Sequence, residues 1–153
     1  MPKRSTSDWA LEALALAALA TIIGTVAAHW TELPAQVPKH FGISGTPDRW
    51  GSKNGMLLLP LTAIGLYILI TVTSRYQRLI NVPMSIDRDA PEVQRLLQSM
   101  SLTLKMVVLF VFVYIEWATV NTALGRSAGL GKLFMPTFLV ASGITQNRPM
   151  VIT

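Results

Sequence analysis

The chain contains no cysteine, only two histidines and few charged residues, and each shortage removes a class of function. Without cysteine there is no disulfide, no thiol nucleophile and no thiolate metal site. Charged residues make up 14% of the 153 residues against 51% hydrophobic residues, and the mean hydropathy is +0.45. This composition is too apolar for an ordinary soluble domain. We therefore expect an integral membrane protein, with room for about four spans of roughly 20 residues each.

Sequence patterns of catalytic sites are also missing. The chain has no P-loop, no HExxH motif, no nucleophile elbow and no glycine fingerprint following a strand. We therefore predict a protein that is not an enzyme and that acts by binding. The net charge of +5 does not indicate a nucleic-acid partner, because the thirteen Lys and Arg residues lie between apolar runs. In that arrangement they are typical of membrane topology signals.

Four apolar runs predict an all-α integral membrane fold in a single domain, residues 1–153, with helices at about 9–28, 56–74, 90–122 and 130–146. Ser5 and Asp8 have the spacing of a capping box before the first run, and Asp89 with Glu92 repeats it before the third. The length of the first run, and Glu12 within it, argue against a cleaved signal peptide. The fourth run is interrupted at 146–149, so a re-entrant or interfacial segment is its alternative.

Basic residues predict the orientation. One side of the membrane holds the N-terminus and the connection between the second and third runs, and its basic residues are Lys3, Arg4, Arg75, Arg78, Arg88 and Arg95. The other side has one fewer: Lys39, Arg49, Lys53, Arg126 and Lys132. Because basic residues favour the cytoplasmic side, we expect a cytoplasmic N-terminus and an extracytoplasmic loop between helices one and two.

That first loop, residues 29–55, differs in composition from the apolar runs beside it. Pro34 and Pro38 stiffen its path, and Gly42 and Gly45 supply turn positions. Its aromatic residues are of the kind found at membrane interfaces: Trp30, Phe41 and Trp50. We expect an ordered loop rather than a mobile one.

The loop also resembles the signature LPxxxPxHFxxxGxPDxWxSK of a bacterial membrane family, a domain of unknown function of the DUF1648 type. The matching residues are Leu33-Pro34, Val37-Pro38, His40-Phe41-Gly42, Gly45, Pro47-Asp48 and Trp50-Gly51-Ser52-Lys53. The same domain forms the N-terminal part of the immunity proteins that protect cannibalistic bacilli from their own toxin. The resemblance implies a bacterial origin and an inner-membrane location, and it brings no known reaction.

The two histidines are the first candidates for chemistry. His40 is interpreted as a hydrogen-bonding residue that helps to fix the loop. A metal pair with His29 has no third ligand at matching spacing, and Asp48 and Glu32 are the only acids in the loop that could contribute, so no metal is predicted. His29 follows the first run and is either an axial ligand to a haem or chlorophyll-type pigment, or an interfacial imidazole beside Trp30. No bound cofactor is predicted.

Two ionisable residues lie inside the third apolar run. Lys105 and Glu116 are eleven residues apart, so they share a helix face at a separation of about 16 Å and cannot pair with each other. We expect Lys105 to extend toward the cytoplasmic end. Glu116 either faces protein and marks a pathway or contact, or is hydrated at the interface beside Trp117. The binding candidates are then His40, Phe41, Asp48, Trp50, Lys53 and Glu116.

A stripe of small residues on the first helix, Ala20, Gly24 and Ala28, allows another helix to approach closely. It suggests an accessory subunit of a larger bacterial membrane complex, such as an electron-transport or photosynthetic assembly, with lipids and other integral subunits as partners. The alternative is an immunity or sensor protein whose outer loop recognises a toxin or signal. A small transporter using Glu116 is a third hypothesis.

Overall fold

The computed structural model of the chain describes residues 5–75, 90–132, 134 and 137. Their elements are helix α1 (Thr6–His29), strands β1 (Gln36–Phe41) and β2 (Pro47–Ser52), a 3₁₀ helix (Lys53–Leu57), helix α2 (Leu58–Arg75) and helix α3 (Pro91–Ala123). Three helical stretches are long and apolar enough to cross a membrane: Thr6–His29, Lys53–Arg75 and Pro91–Ala123. The predicted helical membrane fold is thus confirmed for three spans. Most of the fourth predicted span, and Asp89, lie outside the described residues.

The expectation of an all-α fold is wrong for the first loop, which forms a two-stranded antiparallel sheet. Val37 pairs with Gly51 and Pro38 with Trp50, and the register shifts on either side of His40. Pro38 cannot donate a ladder hydrogen bond, and the shifts break the alternation of inward and outward residues. These features explain why the sequence pattern did not indicate strands.

Helix α1 begins at the predicted capping box. The Ser5 hydroxyl accepts from the Asp8 N–H at 3.2 Å, and the Asp8 carboxylate accepts from the Ser5 N–H at 2.8 Å. Two of the orphan N–H groups of the first turn are therefore satisfied reciprocally. In α3 the first residue is Pro91, whose missing N–H costs nothing at this position.

Hydroxyl groups within the spans are satisfied by the preceding helical turn. Thr62 donates to the carbonyl of Leu58 at 2.7 Å, and Ser101 donates to that of Leu97 at 2.8 Å. Such bonds matter in lipid, because there is no water to receive a free hydroxyl. The spans therefore carry these polar side chains without a partner helix.

The contacts of the chain divide it into two compact units. The first comprises Met1–Thr31 and Met56–Trp117, and the second comprises Glu32–Gly55 and Ala118–Thr153. The core of the first unit is formed by residues from all three helices, namely Ala15, Ala18 and Ile22 of α1, Ala63 of α2 and Leu109 of α3. The small alanines let the helix backbones approach closely, as expected for helices packed in lipid.

Candidate functional site

A buried polar cluster joins the three helices of the first unit. Lys105 of α3 donates to the Glu12 carboxylate of α1, at 3.0 Å to Oε1 and 3.1 Å to Oε2. Tyr67 of α2 donates its hydroxyl to the same Oε1 atom. The Lys105 Nζ also lies 4.5 Å from the centre of the Tyr67 ring. Each of the three helices thus contributes one member of this cluster.

The helix positions of the three residues explain why they meet. Glu12 follows Thr6, the first residue of α1, by six residues, and Tyr67 precedes Arg75, the last residue of α2, by eight. At 1.5 Å per residue these distances are about 9 and 12 Å. Since consecutive spans run in opposite directions, both residues lie at similar depth from one face. Helix α3 has 33 residues, a length of about 50 Å that exceeds the bilayer core, so its first turns extend beyond the lipid before Lys105.

The cluster brings opposite charges together where isolated charges are costly. Lys105 is 2% exposed and Glu12 is 7% exposed. An unpaired ion at such a site costs several kcal/mol, a cost that pairing and further hydrogen bonds offset. The hydroxyl of Tyr67 and the face of its ring supply two additional favourable contacts. The cluster therefore holds the three helices in one register.

The predicted extension of Lys105 toward the membrane surface is wrong, because its ammonium is buried against Glu12. Sequence reasoning missed Glu12 and Tyr67 as members of a site. A signal for Glu12 exists: an acid inside one apolar run and a base inside another demand a partner. Tyr67 carries no comparable signal, since a tyrosine in an apolar helix is ordinary.

Glu116 lies further along α3 and is a second buried acid of the first unit. It is 0% exposed, and among the described residues neither of its carboxylate oxygens has a hydrogen-bond partner. Lys105 cannot serve it, because that ammonium is bound to Glu12 and lies about three helical turns away. Of the two predicted environments, the buried one agrees with this position. A buried acid without a partner invites a functional explanation.

In the second unit, His40 and Asp48 form a surface pair on the hairpin. The His40 Nδ1 lies 2.7 Å from Asp48 Oδ1, and because a carboxylate accepts, Nδ1 donates. Their side chains are 61% and 49% exposed. The pair crosses the hairpin next to the register shifts, where ladder bonds are disrupted. His40 thus bonds within the loop, as the sequence suggested.

The other loop candidates are spread over the hairpin rather than gathered at one point. Phe41 is half-buried and pairs with Pro47, Trp50 is 50% exposed, and Lys53 begins the 3₁₀ helix. Within the described residues, no group of three or more His, Cys, Asp or Glu side chains is placed to hold a metal ion. Among the residues that the structure describes, the loop candidates therefore do not form one clustered site.

His29 occupies the last position of α1. Its Nδ1 donates to the carbonyl of Thr25 at 3.0 Å, since a carbonyl can only accept. Nδ1 then carries the proton, and Nε2 is left as the nitrogen with a lone pair. This tautomer is the one that an axial ligand requires. The ring is half-buried, so both sequence interpretations of His29 stay open.

The small-residue stripe of α1 is not used for packing within the described chain. Ala20, Gly24 and Ala28 are exposed, whereas the buried face of α1 consists of Glu12, Ala15, Ala18, Ile22 and Val26. A Cβ atom added at Gly24 would meet nothing within 4 Å. The stripe therefore faces outward.

A backbone contact closes the second unit. The hairpin turn and the segment after α3 meet where the Leu130 N–H donates to the Gly45 carbonyl at 2.8 Å. Gly45 and Gly129 have φ values of +77° and +145°, and a Cβ on either one would collide with backbone of the other segment. Arg126 reinforces the unit through a 3.1 Å ion pair with Glu32.

Three apolar spans, a polar cluster within them and a β-hairpin between the first two define the chain as a helical membrane protein of several spans. Residues 15–64, from α1 through the first turns of α2, match the family described as Domain of unknown function (DUF1648). The resemblance to the DUF1648 family that the sequence predicts is confirmed over these residues.

An archaeal protein shares part of the chain. An uncharacterized protein of Archaeoglobus fulgidus is 39% identical over an alignment of 62 residues, and the match covers 35% of this chain and 34% of that protein. The match therefore spans about a third of the relative's length. Because this relative is archaeal, the similarity is not confined to bacteria. No solved structure matches the chain.

Proposed function

We propose that this protein is a non-catalytic integral membrane protein that acts by binding, as an accessory subunit of a larger membrane complex. One observation carries the proposal: the stripe Ala20, Gly24 and Ala28 faces outward on α1 and is left unused by the described chain. Small residues promote helix association in lipid, because they allow close van der Waals contact between backbones. An outward stripe is therefore a fitting surface for the helix of another subunit.

The small share of each span that the chain itself buries supports the same proposal. Only 28%, 17% and 17% of the residues in the most apolar windows of the three spans are buried by the chain itself. The remaining surface must be covered by lipid or by neighbouring subunits. An electron-transport or photosynthetic assembly supplies such neighbours, and Nε2 of His29 suits a haem or chlorophyll-type pigment held at their boundary.

The proposal is tested with Gly24→Leu in the full chain, expressed in its native host and purified in mild detergent. The leucine has space within the chain but blocks close approach of a second helix, so co-purifying subunits should be lost. Mass spectrometry identifies the subunits, and an absorption spectrum of the same sample reveals any pigment. Gly65→Leu is the matched control, because a Cβ at Gly65 of α2 also meets nothing within 4 Å. Purification of the wild-type chain as a lone monomer would contradict the proposal.

A second function is favoured by the hairpin turn: recognition of a toxin or signal by an immunity or sensor protein. Ile43 is 82% exposed and Trp50 is 50% exposed, and exposed apolar residues on an ordered loop are typical contact residues. The test is survival of a toxin challenge with the gene, without it, and with Ile43→Asp. Protection that depends on Ile43 supports recognition by the hairpin, whereas equal survival in all three strains excludes it.

A further inference from the structure

A groove in the second unit combines glycine backbone, hydroxyl groups and a lysine. It is lined on the hairpin side by Ser44, Gly45 and Thr46 and on the other side by Ser127, Ala128, Gly129, Gly131 and Lys132. Gly131 has a φ of +83° and, like Gly45 and Gly129, adopts a positive-φ backbone conformation. Glycines in such conformations let successive N–H groups point into one concavity, an arrangement that binds anions.

Several donors of this groove are not committed to other groups. Among the described residues, backbone hydrogen bonds outside the helices and strands use the N–H groups of Gly45 and Leu130, but not those of Gly129, Gly131 or Lys132. The hydroxyls pair locally, Ser44 with Thr46 at 2.7 Å and Ser127 with Thr122 at 2.9 Å. A hydroxyl pair retains one hydrogen that can turn toward an acceptor. The groove thus offers donors without matching acceptors.

Charge favours an anion as well. Within residues 32–55 and 118–132, the second unit has five basic and two acidic residues, which gives a net charge of +3 with histidine neutral. Both acids are engaged away from the groove, Glu32 with Arg126 and Asp48 with His40. Lys132 is exposed, and neither of these two acids is its partner.

The position along the chain identifies the source of the anion. The hairpin connects two spans, and Lys132 follows the third span, α3, by nine residues. Since spans alternate in direction, both segments emerge at the same membrane face, and the exposed Trp50 of the hairpin is a residue of the kind enriched at membrane interfaces. The anionic groups at this level are the phosphates of lipid headgroups.

We propose that the groove between the hairpin turn and residues 127–132 binds the phosphate of an anionic phospholipid headgroup, with Lys132 as its charged contact. Glycine N–H groups cradle the phosphate oxygens, and the Lys132 ammonium compensates the negative charge. This binding is independent of the accessory-subunit proposal, because it uses no residue of the α1 stripe.

The test uses the full chain in detergent micelles containing equal amounts of phosphatidylglycerol and phosphatidylcholine, with retained lipid counted by native mass spectrometry. The wild type should retain phosphatidylglycerol preferentially, and Lys132→Gln should weaken that retention by about tenfold, the loss expected for one charge-assisted hydrogen bond. Lys39→Gln is the matched control, because it removes the same charge from an exposed site of the same unit outside the groove. Equal loss in both variants would reduce the effect to general surface charge and overturn the site.

Two further arms separate the alternatives. Gly131→Ala should weaken retention, whereas Gly125→Ala, which strains a φ of +70° outside the groove, should not. Addition of inorganic phosphate at the lipid concentration should displace no phosphatidylglycerol. Displacement would assign the groove to a soluble phosphate instead, and absence of any preference for phosphatidylglycerol in the wild type would overturn the proposal.

Discussion

At the scale of single residues, Glu12 and Lys105 matter most for stability, because each buried charge is compensated only while the other is present. Lys105→Met leaves the Glu12 carboxylate without its cation, and Glu12→Gln leaves the ammonium without its anion. We expect each change to lower the free energy of unfolding by about 3–5 kcal/mol. The double variant should lose far less, because no charge remains unpaired. Thermal unfolding in detergent and a double-mutant cycle measure the coupling.

Tyr67→Phe tests the third member of the cluster, since it keeps the ring beside Lys105 and removes only the hydroxyl donated to Glu12. The expected loss is about 1.5–3 kcal/mol, the range for a hydrogen bond to a charged group. Equal stability of all single variants and the wild type would mean that the cluster does not hold the helices together.

Glu116 leads to the opposite prediction. Because its buried carboxylate oxygens have no partner among the described residues, Glu116→Leu should raise the free energy of unfolding by about 1–3 kcal/mol, the cost of an unsatisfied buried polar group. The same thermal measurement applies, with Lys105→Met as the destabilising comparison. A clear loss of stability on Glu116→Leu would reveal a partner outside the described residues. A gain would indicate that the acid is kept for a functional reason.

At the scale of elements, the contact between the hairpin turn and the segment after α3 depends on backbone approach. Gly45→Ala meets two penalties, a left-handed φ and a collision with the Gly131 backbone, whereas Gly125→Ala meets only the first. We expect Gly125→Ala to cost about 1–2 kcal/mol and Gly45→Ala distinctly more. Hydrogen exchange at the Leu130 amide, which donates to the Gly45 carbonyl, compares the two variants. Similar exchange in both would show that the collision is relieved at no cost.

The elements also differ in how far the sequence predicts them. The three spans and the capping box of α1 follow from apolar length and local spacing, because helices in lipid satisfy their own backbone. The hairpin was predicted only as an ordered loop, since Pro38 and the shifts beside His40 hide its strands. The pairing of Glu12 with Lys105 joins residues 93 positions apart and arises only when three helices pack.

At the scale of the whole molecule, alternation of spans determines which segments share a membrane face. Cysteines placed at Ser44 and Ser127 should react with an impermeant thiol reagent from one side of the membrane, and a cysteine at Ser7 from the other. The cysteine-free chain provides a silent background for these labels. From the basic residues we expect Ser7 on the cytoplasmic side. Labelling of Ser44 and Ser127 from opposite sides would contradict three full spans.

The long sequence separation between Glu12 and Lys105 also sets the order in which the two charges enter the membrane during synthesis. At about 5–20 residues per second, the ribosome reaches Lys105 roughly 5–20 s after Glu12. During that interval the first helix carries an acid into the bilayer with no base to meet it. We therefore expect the Glu12 carboxylate to gain its partner only after α3 has been synthesised and has entered the membrane.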